Sequence, residues 1–356
     1  MKKIAIVGTQ GVPANYGGFE SLVENMIGEN CSPDIQYTVF CSSKDMKEKL
    51  STYKGADLKY VPLHANGMQS IPYDIISMMK VMTGYDVILV LGVSGCVFLP
   101  VLKILSRKRI VVNIDGLEHR RDKWGKFAKW FLKFSEKVAV KWADSIIADN
   151  KGIQDYVMET YGKEAQMIAY GGDHVLRDMP MEVQTSVLQK YGLQNKEYAI
   201  SVCRIEPENN CHISLEAFSK TDKEFVFIGN WKRSEYGKAL IEKYKDCKNI
   251  KMLDPIYDLD TLYVLRSNAA YYIHGHSAGG TNPSLVEAMF FGCPIIAFDV
   301  VYNRESTLNK AYYFKSSGDI VDLMNKGNLD GQIMKDIAEK EYTWKVIAGK
   351  YEDLFR

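Results

Sequence analysis

Four stretches of the chain put glycine, charged and hydroxyl-bearing residues where they could handle a phosphorylated ligand. GTQGVPANYGGFE, residues 8–20, follows an apolar run and enters a helical pattern with Phe19, Leu22, Val23, Met26 and Ile27 on one face. Free N–H groups at such a helix start bind anions; equally, Gly17 and Gly18 could merely turn the chain, with Glu20 complementing the helix dipole. In SVCRIEPENN, residues 201–210, Arg204 directly follows a strand, where a guanidinium can grip a phosphate through two hydrogen bonds. Its bland role would be a surface ion pair. GNWKR, residues 229–233, adds Lys232 and Arg233 after the next strand, with the same alternative.

HGHSAGGTNPSLVEAM, residues 274–289, ends a strand at His274 and runs through a polar loop containing His276, Gly280 and Thr281. Asn282 and Pro283 then make a cap and first-turn pair for a helix. The N–H groups of Ser284, Leu285 and Val286 would point at the loop, and Glu287, one turn in, could accept hydrogen bonds from sugar hydroxyls. The fourth stretch, NIDGLEHRRDKW at 113–124, gathers Asp115, Glu118, Arg120 and Arg121 at a strand end. Such an acid–base and cation cluster suits the orientation of a hydroxyl nucleophile, unless Asp115 only caps the turn.

Several other chemistries are excluded. The glycines after residue 7 lack G-x-G-x-x-G spacing, and no acid ends the second strand candidate to hold a ribose, so this is no nicotinamide site. The G-K-[ST] of a P-loop is missing too. Asp258 and Asp260 form a lone D-x-D that opens a helical pattern and reads as a cap rather than a metal site. Seven cysteines without a C-x-x-C pair argue against a disulfide framework or a zinc knuckle. With 45 basic and 44 acidic residues the net charge is +1, which gives no whole-molecule attraction for nucleic acid. No signal peptide opens the chain, and the expected compartment is the reducing cytoplasm.

The elements that would position these residues are short β-branched runs alternating with helical patterns, in two series. The first comprises KKIAIVG, QYTVFC, LKYVPL, DVILVLG, RIVVNI and SIIAD; the second YAISVC, EFVFIG, IKMLD, AAYYIHG and PIIAFD. Strands alternating with helices predict parallel sheets covered on both faces, and two series predict two doubly wound α/β domains. The joint is expected near AYGGDHVLRDMPME, residues 169–182. Residues 87–105 have the length of a membrane span, but Gly92, Gly95, Pro100 and Lys103 read instead as a buried strand, a turn and a helix. In parallel sheets ligands collect beyond the carboxyl ends of the strands, which is where the four stretches fall.

Residues 123–142 carry the strongest local bias. At 100° per residue Lys123, Lys126, Lys129, Lys133, Lys137 and Lys141 gather on one side, with Trp124, Phe127, Phe131, Phe134, Val138 and Trp142 on the other. This suits docking on an anionic bilayer. A helix of a doubly wound domain needs an apolar face anyway, however, so core packing with solvated lysines is the expectation.

Taken together and in this order, the motifs resemble the retaining glycosyltransferases of family 4. NYGGFE, NIDGLEHRRDKW and HGHSAGGTNPSLVEAM resemble more narrowly the bacterial rhamnosyltransferases of cell-surface polysaccharide synthesis. The resemblance implies a GT-B fold of two Rossmann-like domains, 1–170 on the acceptor side and 171–340 binding the nucleotide sugar, with a helix at 341–356 returning to the first. It implies transfer of L-rhamnose from dTDP-L-rhamnose to a glycan or lipid-linked acceptor, with retention and with neither cofactor nor metal. Gly17 and Gly18 would face donor diphosphate and acceptor, with Asn15, Tyr16, Arg120 and Arg121 on the acceptor side. Arg204 would neutralise the diphosphate, Ser284 and Leu285 would donate N–H groups to it, and Glu287 would hold the ribose.

Two positions depart from the family pattern. Gly279 replaces the earlier of two glutamates, a loss that a 6-deoxy sugar with fewer hydroxyls would tolerate. Asn209 replaces a lysine, whose charge Lys232 or Arg233 would supply. The alternatives are a GT-B enzyme using a UDP- or GDP-sugar, a sugar-nucleotide epimerase, or a non-catalytic sugar-nucleotide-binding subunit.

Overall fold

The computed structural model describes residues 1–14, 17–114, 116, 117, 119, 125–277 and 281–356. It comprises two compact units, Met1–Tyr170 with Trp344–Arg356, and Gly171–Thr343. The chain therefore rejoins the first unit at Trp344 rather than at 341.

Among the described residues eight strands form the sheet of the first unit: β1 (Lys2–Val7), β2 (Ile35–Ser42), β3 (Thr52–Tyr53), β4 (Ala56–Val61), β5 (Val87–Leu91), β6 (Arg109–Ile114), β7 (Ser145–Ala148) and β8 (Gln166–Met167). Their order is β3-β4-β2-β1-β5-β6-β7-β8, parallel except for the β3–β4 hairpin. The runs are apolar throughout because both faces are covered. In β1, Ile4 and Ile6 enter one core while Ala5 and Val7 enter another, the two-residue alternation of a pleated strand. Residues 87–105 form β5, a turn and the helix Leu99–Ser106, and among the described residues no helix is long and apolar enough to cross a membrane.

The C-terminal helix Trp344–Phe355 covers the first of these cores. Trp344, Ile347, Tyr351 and Leu354 pack with Leu22, Val23, Met26 and Ile27 of the helix Gly18–Glu29. The Tyr351 hydroxyl accepts a 2.6 Å bond from the Asn113 amide at the end of β6. Glu352, also buried, accepts from the Cys31 N–H at 2.8 Å.

The second unit carries β9 (Tyr198–Val202), β10 (Glu224–Ile228), β11 (Ile250–Leu253), β12 (Tyr271–His274), β13 (Ile295–Phe298) and β14 (Tyr312–Phe314). The order β11-β10-β9-β12-β13-β14 is wholly parallel. One face packs Phe225, Phe227, Ile273, Ile296 and Phe314 against Leu215, Phe218, Leu240 and Ile320 of the covering helices. In each sheet the chain starts near the middle, winds one way and then crosses to wind the other. The reversal points, between β1 and β5 and between β9 and β12, leave crevices beyond the strand ends.

Ile347 is fully buried, so Ile347→Ala should cost about 2–5 kcal/mol. Urea unfolding followed by hydrogen exchange should show this loss in the first unit and none in Gly171–Thr343.

Candidate functional site

At the β9/β12 reversal two loops are fastened together. Asn209, buried, donates through Nδ2 to the Arg204 carbonyl at 2.7 Å, and its Oδ1 lies 2.6 Å from His276 Nδ1. Because a carbonyl can only accept, the amide must face Arg204, and Oδ1 then accepts from a protonated His276 Nδ1. Ser277 adds bonds from its N–H and its hydroxyl to the Glu208 carbonyl, at 2.9 and 2.8 Å, and Asn210 donates to the Gly275 carbonyl at 2.9 Å. A Cβ on Gly275 would lie 2.1 Å from the Asn209 carbonyl oxygen, so only glycine permits this approach. Arg204 projects from the clasp, 57% exposed, and lies 3.6 Å from both Glu206 and Glu208.

A second group of charges surrounds Glu287. Its Oε2 accepts from Arg266 Nη1 at 2.9 Å, and its Oε1 lies 3.5 Å from His174 Nε2. Arg266, from the helix Leu259–Ser267, is almost wholly buried, and among the described residues its Nε has no hydrogen-bond partner. Burial holds the His174 ring below the ordinary histidine value, aided by Arg266 and Arg177 and opposed by Glu287 and Asp173. Its surroundings thus favour the neutral ring over the charged one.

The seven-residue helix Pro283–Met289 begins at Asn282, which caps it. The Ser284 N–H donates to Asn282 Oδ1 at 3.0 Å, and the Leu285 and Val286 N–H groups donate to the Asn282 carbonyl at 3.0 and 3.2 Å. These groups thus close the cap rather than face the loop as donors, because Asn282 supplies both acceptors. Thr281 is buried beside them. Lys232 pairs with Asp254 at 3.2 Å, both side chains exposed, while Trp231 is buried. Asp258 caps its helix by accepting from the Thr261 N–H at 3.0 Å, and Asp260 pairs with Arg177 at 3.4 Å.

In the first unit, helix carboxylates tether the glycine-bearing loop. Glu20 accepts from the Thr9 hydroxyl at 2.9 Å and the Gln10 N–H at 2.8 Å, and Glu24 accepts from the Ala14 N–H at 2.6 Å. Glu20 therefore does more than complement the helix dipole. Gly17 adopts φ 122°, and a Cβ there would meet the Glu20 carboxylate at 2.0 Å. A Cβ on Gly18 would lie 3.2 Å from the Tyr170 hydroxyl.

Asn15, Tyr16, Asp115, Glu118, Arg120, Arg121 and Gly280 lie outside the described residues. His119, in the same stretch, is described: its Nδ1 lies 3.0 Å from Glu136 Oε2. Glu136 is buried, and its Oε1 also accepts from Lys133 at 3.2 Å and from Tyr156 and Tyr161 at 2.6 Å each. Burial first, then this carboxylate, raises both tyrosine pKa values.

Sequence reasoning passed over His119, Glu136, His174 and Arg266. Only Glu136 left a signal, as an acid on the same helical face as Leu132, Ala139 and Val140.

Comparison with known proteins fits this geometry. The family model described as Glycosyl transferases group 1 matches residues 184–344, which hold Arg204, Asn209, Arg266, His276 and Glu287. The fold is that of the GT-B glycosyltransferases. Residues 1–173 match a domain of unknown function. No curated protein matches the sequence.

Among solved structures, sucrose-phosphate synthase from Thermosynechococcus elongatus aligns at TM-score 0.79 and 13% identity, covering 100% of this chain and 98% of that one. Anabaena HepE in complex with UDP aligns at 0.76 and 14%, covering 99% of both chains. The catalytic domain of starch synthase IV from Arabidopsis thaliana, bound to ADP and acarbose, aligns at 0.75 and 12%, covering 99% of this chain and 98% of that one. Within the matched residues 184–344, hollows of about 670 and 220 Å³ lie at the starts of β9 and β10, the ends opposite Arg204. They lack the motif residues.

Removing one partner of a buried ion pair costs about 3–5 kcal/mol. Glu287 is 17% exposed, so Glu287→Ala should fall at the low end, about 3 kcal/mol by urea unfolding. Adding Arg266→Met, which removes the stranded charge, should restore most of that stability.

Proposed function

We propose that this protein transfers L-rhamnose from dTDP-L-rhamnose to a glycan or lipid-linked oligosaccharide at the inner face of the cell membrane, for cell-surface polysaccharide synthesis. The observation that carries the reading is the convergence of Arg204, Asn209 and His276 at the strand reversal of a group 1 domain, with Glu287 one turn into the helix that follows the second loop. Gly279 in place of an acid favours a 6-deoxy sugar, which needs fewer hydroxyl contacts. A nucleotide-sugar donor agrees with the neighbouring Anabaena HepE complexes with UDP and UDP-glucose.

The bond between the anomeric carbon and the diphosphate breaks as the acceptor hydroxyl bonds to the same face of that carbon. The hydroxyl proton passes to the departing phosphate, retaining configuration. The reaction therefore demands stabilisation of leaving-group charge more than a protein nucleophile. Arg204 supplies it, and no metal is required. Asp115 and Glu118 orient the acceptor hydroxyl.

In thermal-shift screening dTDP-L-rhamnose should raise the melting temperature more than UDP- or GDP-sugars, since a ligand of the folded state stabilises it by mass action. dTDP release with acceptor should continue in EDTA, and Arg204→Ala should reduce kcat/KM by about a hundredfold or more. Stabilisation by UDP- or GDP-sugars alone would reassign the donor. Tight dTDP-sugar binding without turnover would favour a binding subunit, and loss of turnover in EDTA would refute the metal-free step.

A further inference from the structure

The helix Lys126–Trp142 leaves exposed much of the aromatic side that its sequence marks for the core, while Phe131, Val138 and Trp142 are half-buried. Its buried residues are Leu132, Ser135, Glu136, Ala139 and Val140. Phe127, Trp130 and Phe134 are instead 78%, 63% and 48% exposed. Their rings form a ladder: Phe127 and Trp130 lie 5.9 Å apart, and Trp130 stacks on Phe134 at 6.0 Å with planes 8° apart. At 100° per residue the exposed Lys126, Lys137 and Lys141 fall on the same side as this ladder, not opposite it. The helix carries five lysines and one acid, and that acid, Glu136, is turned inward to Lys133, Tyr156, Tyr161 and His119.

The helix Leu99–Ser106 packs against this one and independently exposes Val101, Ile104 and Leu105, at 44%, 64% and 65%. It ends in the basic run Arg107, Lys108, Arg109. Two adjoining helices thus leave large apolar side chains in water beside positive charge. Among the described residues no acid pairs with Lys137 or Lys141.

We propose that these two helices form a docking face for an anionic lipid bilayer. The charge is complementary to acidic headgroups, at about 1 kcal/mol per lysine or arginine near the surface. Tryptophan and phenylalanine beside lysine is the composition of helices that lie in the interface plane, aromatic rings at headgroup depth and ammonium groups in water. A symmetric contact with a second copy would instead set lysine against lysine. The inference stands apart from donor identity, because it rests on exposure and charge in the first unit alone.

Sedimentation of the full chain with vesicles tests the proposal. Vesicles of phosphatidylcholine with phosphatidylglycerol should carry the protein down, those of phosphatidylcholine alone should do so poorly, and added salt should release it. Trp130→Ser, Ile104→Ser with Leu105→Ser, and Lys137→Glu with Lys141→Glu should each lower the bound-to-free ratio by about tenfold or more. All these side chains are exposed, so melting temperatures should match the parent. The proposal is overturned if the parent ignores anionic vesicles, if folded variants bind as it does, or if Trp130→Ser merely dissociates a dimer. Binding to poly(U) in preference to vesicles would overturn it equally.

Discussion

The Asn209 carboxamide sets the geometry of the candidate site in the second unit, because it fastens the loop after β9 to the loop after β12. One end holds the Arg204 carbonyl and the other the His276 ring. The clasp forms only where the loop backbones touch, and Gly275 allows that touch. A lysine at position 209 could not make both bonds, since it has no acceptor. Asn209 thus gives this chain a fixed pair of loops. Arg204 and His276 are thereby held in register at the point where a parallel sheet leaves its crevice.

Three buried carboxylates and the half-buried Glu287 do comparable work elsewhere. Glu20 ties the first glycine-bearing loop, Glu136 draws together His119, Lys133 and two tyrosines, Glu287 holds Arg266, and Glu352 anchors the turn at Cys31. A charge taken from water survives only with such partners. Each therefore fixes separate segments of the chain, and three of the four stand beside motif residues. Because Glu287 is committed to Arg266, substitutions there alter stability, and any effect on ligand binding must be measured separately from it.

Much of the fold was legible because both sheets are parallel and buried on both faces, so their strands read as unbroken apolar runs such as KKIAIVG and YAISVC. Missed were β3, β8 and β14, two or three residues long, too short to show periodicity. Caps were legible where one side chain does the work, as at Asp258 and Asn282. The Asn282 cap also explains why the N–H groups of Ser284 and Leu285 do not face outward. His174 and Arg266 were illegible because their meaning lies in meeting Glu287, across 113 and 21 residues of chain, the differences of their numbers. The helix at 126–142 misled in another way. Its wheel shows an aromatic side, but the sheet takes the smaller side chains of the adjoining side, and periodicity alone does not say which face is buried.

The central claim is that the paired loops beyond β9 and β12 receive the nucleotide sugar. Amide hydrogen exchange of the whole chain, with and without dTDP-L-rhamnose, tests it most directly, since protection maps where a ligand orders backbone. The account predicts slowed exchange at residues 203–211, 275–277 and 281–285, and little change at 196–199 and 220–224, where the open hollows lie. Protection at those hollows with none at the paired loops would contradict it.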